Sequence, residues 1–212
     1  MLFLGYNKVM DQPFYYTGIG SRETPKHVLA TMRRLACVLA SRGWILRSGG
    51  APGADNAFEQ GTPPESRRIY IPWNNFEERV HGKLGAVDPA KMVPKELYDR
   101  ARAMAAKHHI GWANLKEPVR KLMTRNVFQV LGDDLMTPSK FVWCWAPNPQ
   151  LKDGKIVDVK GGTGLAVRLA EEFGVPVYHM GYAPHVAAME KYLLENETAP
   201  APVPVPPQPR RM

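Results

Sequence analysis

The chain reads as an α/β protein with a Rossmann-like, doubly wound and mainly parallel sheet carrying helices on both faces. Three observations predict this. Short apolar runs alternate with amphipathic stretches along most of the 212 residues, the pattern that builds a parallel sheet between two helical layers. The run Phe141-Val142-Trp143-Cys144-Trp145 is apolar at every position, as a strand covered on both faces should be. Three glycine-rich turns each follow, or closely follow, an apolar run and lead into a helical segment. They are Gly18-Ile19-Gly20-Ser21-Arg22, then Ser48-Gly49-Gly50-Ala51-Pro52-Gly53-Ala54-Asp55, and finally Gly161-Gly162-Thr163-Gly164. Glycine lets backbone N–H groups converge without a Cβ in the way, and a helix start adds unpaired donors and the positive end of a dipole. Three such turns at the carboxyl ends of strands predict a crevice for a phosphate-bearing group.

In chain order, residues 1–13 read as an irregular lead-in, and Phe14–Gly18 as the first strand. Pro25 fits the first position of a helix that runs to Arg42, with Leu29, Met32, Leu35, Ala36 and Leu39 on its apolar face. Gly43 ends it, and Trp44-Ile45-Leu46 is the second strand. A short helix over Ala54–Gln60 stops at Gly61, and Arg68–Pro72 forms the third strand. Residues 73–94 show no clean period and read as a long loop, a lid or binding loop in a compact domain. Helices are expected over Lys95–His108 and Glu117–Leu131, and the apolar strand at Phe141–Trp145 follows. Asp153-Gly154 marks a hairpin within Asn148–Lys160. The helix after Gly164 ends at Gly174, Val175–Tyr178 is the last strand, and a helix over Pro184–Leu194 closes a single domain spanning residues 1–196. From Glu197 the chain reads ETAPAPVPVPPQPRRM, a proline density that favours a disordered tail over residues 197–212.

Composition narrows the function classes. With 44% hydrophobic and 23% charged residues this is an ordinary globular chain. A signal peptide and an apolar run of about 20 residues are both missing, so a cytoplasmic address without a membrane partner is expected. Cys37 and Cys144 sit among apolar neighbours and are expected as buried free thiols. No paired His/Cys spacing fits a metal, and neither metal nor cofactor is expected. The formal net charge of +8 favours an anionic partner, although the cations are dispersed in pairs such as Arg33-Arg34, Arg67-Arg68, Arg120-Lys121 and Arg210-Arg211.

The segments TGIGSRETP, RSGGAPGADNAFEQG, MTRNVFQVLG and GGTGLAVRLAEEFGVPVYH together resemble the SLOG superfamily of Rossmann-like proteins. Within it the chain is similar to the DNA-processing protein A-like (DprA-like) group often encoded by bacteriophages, and more distantly to the LOG phosphoribohydrolases. The resemblance covers roughly residues 14–180. It implies a nucleotide or single-stranded DNA at the glycine turns, a homodimer, and a recombinase as a possible partner. It also implies that Arg125-Asn126 approach the nucleic acid, as in the DprA-like group, or that the arginine assists catalysis, as in the phosphoribohydrolases; the alternative is a helix-surface arginine with an asparagine pairing to the backbone. Where the phosphoribohydrolases carry a proline, a threonine and a catalytic glutamate around the third turn, this chain has Lys160, Leu165 and Arg168. A basic residue at that place suits anion binding better than hydrolysis.

Individual residues keep two readings each. Arg22, directly after the first turn, either clamps a phosphate or pairs with a surface carboxylate such as Glu23. Asp55 either contacts ribose hydroxyls or caps its helix. Glu59, four residues on, shares a helix face with Asp55; paired carboxylates could serve glycosidic-bond chemistry, or simply be surface neighbours. Thr163 adds a hydroxyl to the backbone donors of Gly161, Gly162 and Gly164. Ser48, Gly49, Gly50, Ala51 and Gly53 form the second cradle, and Gly18, Gly20 and Ser21 the first. Trp73 and Trp112 either stack on bases or pack in the core. His179 either faces the crevice or is a satisfied structural histidine. The reading is of a binding protein rather than an enzyme, with no catalytic residue assigned. Two alternatives stand beside it: an N-glycosidase acting on nucleoside 5'-monophosphates through Asp55 or Glu59, and a sensor or sponge for a signalling nucleotide.

Overall fold

The direction in which the strands' apolar side chains point decides which helical layer each of them packs against. The computed structural model describes residues 13–197. The lead-in up to residue 12 and the proline-rich stretch from residue 198, with Arg210-Arg211, lie outside the described residues. The strands are β1 (Tyr15–Gly20), β2 (Ile45–Ser48), β3 (Arg67–Tyr70), β4 (Ala86–Val87), β5 (Val142–Trp145), β6 (Gln150–Lys152), β7 (Lys155–Asp158) and β8 (Val177–His179). The helices are α1 (Lys26–Ser41), α2 (Ala54–Gln60), α3 (Pro89–Met92), α4 (Lys95–His108), α5 (Glu117–Leu131), α6 (Thr163–Glu172) and α7 (Ala183–Glu197). Six strands form one sheet in the order β4-β3-β2-β1-β5-β8, and every pair is parallel. Alternate residues point to opposite faces. Tyr16, Leu46, Ile69 and Trp143 pack toward α1, α2 and α7, where Met32, Leu35, Leu39, Phe58 and Met189 lie. Ile19, Tyr70, Val142 and Cys144 pack toward α4, α5 and α6, against Ala105, Val127, Phe128, Leu131, Leu165 and Leu169. This is a three-layer, doubly wound fold of Rossmann-like type. The winding reverses between β1 and β5, which opens a crevice at their carboxyl ends.

The structure corrects several local expectations. Residues 73–94 are not a structureless loop, since they contribute the edge strand β4, which pairs Ile69 with Ala86 and Tyr70 with Val87. They also contribute α3, capped by the Asp88 carboxylate, which accepts the Ala90 N–H at 3.1 Å. A strand of two residues is too short to show a period. β1 continues through Gly20, past the expected end at Gly18, so the first glycines lie inside a strand. The third glycine turn follows the antiparallel β6–β7 hairpin, a separate two-stranded sheet, rather than a strand of the main sheet. Cys37 is exposed on α1; Cys144 is buried, and burial pushes its thiol up to about 12. Both are free, as expected.

His179 is a satisfied structural histidine. Its Nδ1 accepts the Gly181 N–H at 2.9 Å, which leaves Nε2–H to donate to the Ala146 carbonyl at 2.9 Å. The ring also stacks on Trp145, with centroids 6.4 Å apart. Burial lowers its pKa, as it does those of His108 and His185. A histidine whose folded pKa is depressed contributes stability that is present above its unfolded value, about 6.5, and is lost as pH falls through the folded value. Tm is therefore expected to decline between pH 7 and pH 5, by about 2–4 °C for each kcal/mol lost in a chain of this size. Calorimetry on His179→Gln should show a flatter decline over that window; an unchanged slope would assign the acid lability to other groups.

Candidate functional site

At the carboxyl end of β1, the strand beside which the sheet reverses its winding, lies a cavity of 330 Å³. One lip is Gly20, Ser21, Arg22 and Glu23, from the end of β1 and the turn after it; the other is Lys160, Gly161, Gly162 and Thr163, at the start of α6. Between them α5 presents Leu122, Met123, Arg125, Asn126 and Gln129, and the second glycine turn adds Ala51 and Asp55. On α5 the spacing of 122, 125, 126 and 129 puts all four on one helix face.

The inner end of the cavity is built around a buried ion pair. Asp55 and Arg125 are only 4% and 6% exposed, and the Arg125 guanidinium donates from Nη1 to Asp55 at 3.4 Å. The Asp55 carboxylate also accepts the N–H of Gly20 at 3.2 Å and of Ala51 at 3.4 Å. It therefore ties the ends of β1 and β2 together, and α2 is preceded by Gly53 without a side-chain cap. Burial raises the pKa of Asp55 and lowers that of Arg125, and each partner's charge opposes the other's shift. The two charges balance, so the anion-attracting charge at the mouth comes from elsewhere.

That charge comes from Arg22 and Lys160. Both are exposed, they stand on opposite lips, and neither makes an ion pair with any described residue. In particular Arg22 is not paired with Glu23.

The glycines divide into two groups by what a Cβ would meet. At Gly49 it would fall 1.0 Å from Arg125 Nη1, so this glycine makes room for the guanidinium. At Gly18 it would strike the Phe58 ring at 2.5 Å, at Gly53 the Ser21 carbonyl at 2.6 Å, and at Gly164 the Val159 carbonyl at 2.4 Å. Gly50 is covered by Arg79. The third turn is different. Gly161, at φ +85°, faces open space, and Gly162 has only the flexible end of Met123 nearby, at 3.2 Å.

Ten residues expected at the site thus line the cavity: Gly20, Ser21, Arg22, Ala51, Asp55, Arg125, Asn126, Gly161, Gly162 and Thr163. Gly18, Ser48, Gly49, Gly50, Gly53 and Gly164 do not; Ser48, for example, donates its hydroxyl to the Gly18 carbonyl at 2.6 Å inside the sheet. Glu59 is away from the cavity and held by Arg79 at 2.7 Å and Arg67 at 3.6 Å. Arg168 binds Asp158 at 2.5 Å and the His108 carbonyl, so it does not serve an anion at the crevice. Trp73 packs edge-on against Phe76, and Trp112 lies beneath Arg102 and Arg120. Gln129, Leu122 and Met123 line the cavity without having been expected there; the signal that marks them is helical spacing, Leu122 and Gln129 from Arg125 and Met123 from Asn126.

No protein-family model matches the chain, and no curated protein matches it. Among solved structures it is similar to DNA processing protein A from Helicobacter pylori, described for its single-stranded DNA binding mode. The two are 16% identical, the match covers 90% of this chain and 83% of that one, and the TM-score is 0.46. The Rossmann-like architecture rests on the chain's own strand order and not on that likeness.

The arrangement is suited to holding an anionic, partly apolar ligand. Two exposed cations flank an open glycine turn at the mouth, Ile19, Leu122 and Met123 supply apolar wall, and hydrogen-bonding groups line the inner end. The volume falls at the lower end of small-molecule sites, about 300–1,000 Å³. Among the described residues no His/Cys/Asp/Glu group has the geometry of a metal site, and no helix is long and apolar enough to cross a membrane.

Proposed function

We propose that this chain is a DprA-like nucleic-acid-binding protein that holds one nucleotide unit of single-stranded DNA in the switch-point cavity. The phosphate lies between Arg22 and Lys160 on the open Gly161-Gly162 turn, with the Thr163 hydroxyl in reach, and sugar and base point inward toward Leu122, Met123 and Asp55. The observation that carries the reading is the pair of cations on opposite lips of the cavity, beside a glycine turn that faces open space. The net charge of +8 favours the same partner and speeds encounter with it. A homodimer, a recombinase partner, a cytoplasmic address and a bacteriophage-type SLOG ancestry belong to the same reading.

A labelled oligo-dT titration at several salt concentrations tests it. Affinity should fall steeply with salt, and Arg22→Ala or Lys160→Ala should each weaken binding and reduce the logarithmic salt slope by roughly 0.7, the value for one single-strand phosphate contact. A parallel arm with nucleoside monophosphates and cyclic nucleotides addresses the compact size of the cavity. Tight, salt-tolerant binding of one nucleotide with DNA ignored would replace the DNA reading with a sensor. Chromatographic release of free base would instead indicate a glycosidase, with Asp55 as the carboxylate at the inner end of the cavity.

A further inference from the structure

We propose that Gln129 is the positioning residue of this cavity. It holds the Arg125 guanidinium down on Gly49 and, through Asn126, sets the third glycine turn in the conformation that meets the ligand. The inference rests on the binding reading above and assigns a task to a residue that touches neither lip.

Gln129 is 1% exposed, one helical turn beyond Arg125. Its neighbours orient the amide. The oxygen accepts the Gly49 N–H at 2.7 Å and Arg125 Nη1 at 2.6 Å, and the nitrogen donates to Asn126 Oδ1 at 3.0 Å. Asn126, itself 7% exposed, donates through Nδ2 to the Gly162 carbonyl at 3.2 Å. A continuous hydrogen-bonded chain therefore starts at the N–H groups of Gly20 and Ala51 and passes through Asp55, Arg125, Gln129 and Asn126. It ends at Gly162, so that all three glycine turns hang on it. The backbone of Gln129 is pinned as well, because its carbonyl accepts the Thr17 hydroxyl of β1 at 2.6 Å.

The chemistry at this point needs an amide. Two donors must be accepted and one acceptor must be given a hydrogen bond, by a side chain only 1% exposed. A carboxylate accepts but cannot donate, and a hydrocarbon does neither. With the amide in place, Arg125 stays at the inner end with its charge matched to Asp55, and the mouth is left to Arg22 and Lys160.

The experiment compares Gln129→Glu and Gln129→Met with the unaltered full chain, by amide hydrogen exchange and oligo-dT affinity. Gln129→Glu keeps an acceptor for Gly49 and Arg125 but loses the donor to Asn126. Its Gly49 amide should stay protected, while the Gly164 amide, bonded to the Gly161 carbonyl at 3.1 Å, exchanges roughly tenfold faster. DNA affinity should drop roughly tenfold with the salt slope unchanged, because both lip cations remain. Gln129→Met, free of any buried charge, should loosen Gly49 and Gly164 together, and it carries the test if the glutamate variant does not fold. Gly164 exchange like that of the unaltered chain in both variants would overturn the proposal, and so would faster exchange at undiminished affinity. Should the unaltered chain bind no oligonucleotide or nucleotide, the binding reading fails, and Gly164 exchange alone decides whether Gln129 holds the turn.

Discussion

Arg125→Ala should cost about 3–5 kcal/mol of stability, the range expected when one partner of a buried ion pair is removed. The loss comes from Asp55, 4% exposed in the unaltered chain, which loses its counter-charge, and not from the 3.4 Å contact itself. At about 2–4 °C per kcal/mol for a chain of this size, Tm should fall by roughly 6–20 °C. The deficit should depend on pH in a definite direction. Burial already raises the Asp55 pKa, and the variant removes the guanidinium that opposes the rise. A carboxyl whose folded pKa lies above its unfolded value contributes stability that is fully present below the unfolded pKa and lost as pH rises through the folded one. The gap in Tm between Arg125→Ala and the unaltered chain should therefore be smaller at pH 5 than at pH 8. Adding Asp55→Asn should recover part of the loss: the uncompensated charge is gone, but the amide oxygen replaces only one of the two carboxylate oxygens that accept the Gly20 and Ala51 N–H groups. A double variant no more stable than the single one would show that the uncompensated charge is not the cause.

Gly20→Ala should be the most damaging of the small substitutions in the site, by about 3 kcal/mol. The new methyl would lie 2.5 Å from the Trp145 carbonyl oxygen and 2.6 Å from Ala54 Cβ. Neither neighbour can yield. Trp145 pairs with Gly20 in the β1–β5 register, its carbonyl accepts the Ser21 N–H at 2.8 Å, and Ala54 opens α2. Relief would require β1 and α2 to separate, which disturbs the Gly20–Asp55 bond and the mouth of the cavity together. Gly162→Ala is the informative contrast. Its methyl meets only the end of the Met123 side chain, at 3.2 Å, and the backbone there is ordinary right-handed helix at φ −63°. Urea unfolding should place Gly162→Ala within about 0.5 kcal/mol of the unaltered chain, while DNA or nucleotide binding falls because the methyl faces the ligand's space. Equal stability of the two alanine variants would refute the packing account of Gly20.

Much of the fold was legible because its causes are local. The helices expected at Lys95–His108, Glu117–Leu131 and Ala54–Gln60 coincide with α4, α5 and α2, and the uniformly apolar run at residues 141–145 marked a strand covered on both faces. Asp153-Gly154 marked the hairpin for the same kind of reason: a tight turn needs those residues wherever it occurs. β4 escaped because two residues have no period, and its pairing with β3 is set by the sheet alone. Cys37 escaped because apolar neighbours in sequence do not say which face of α1 looks inward.

By itself, then, the sequence determined most element types, the alternation that makes a parallel sheet, and the three places where glycines cluster. What only the tertiary structure decided is which glycines face open space and which are filled against. Gly18, Gly49, Gly53 and Gly161 look alike in sequence, since each lacks a Cβ for some reason. Phe58, Arg125 and the backbone at Ser21 fill the space beside the first three, and nothing fills the space beside Gly161. Close approach is a property of two segments brought together, so it cannot be read from one. The same holds for Glu59 and Asp55: four residues apart on one helix, one is held by Arg67 and Arg79, and the other by Arg125 at the inner end of the cavity.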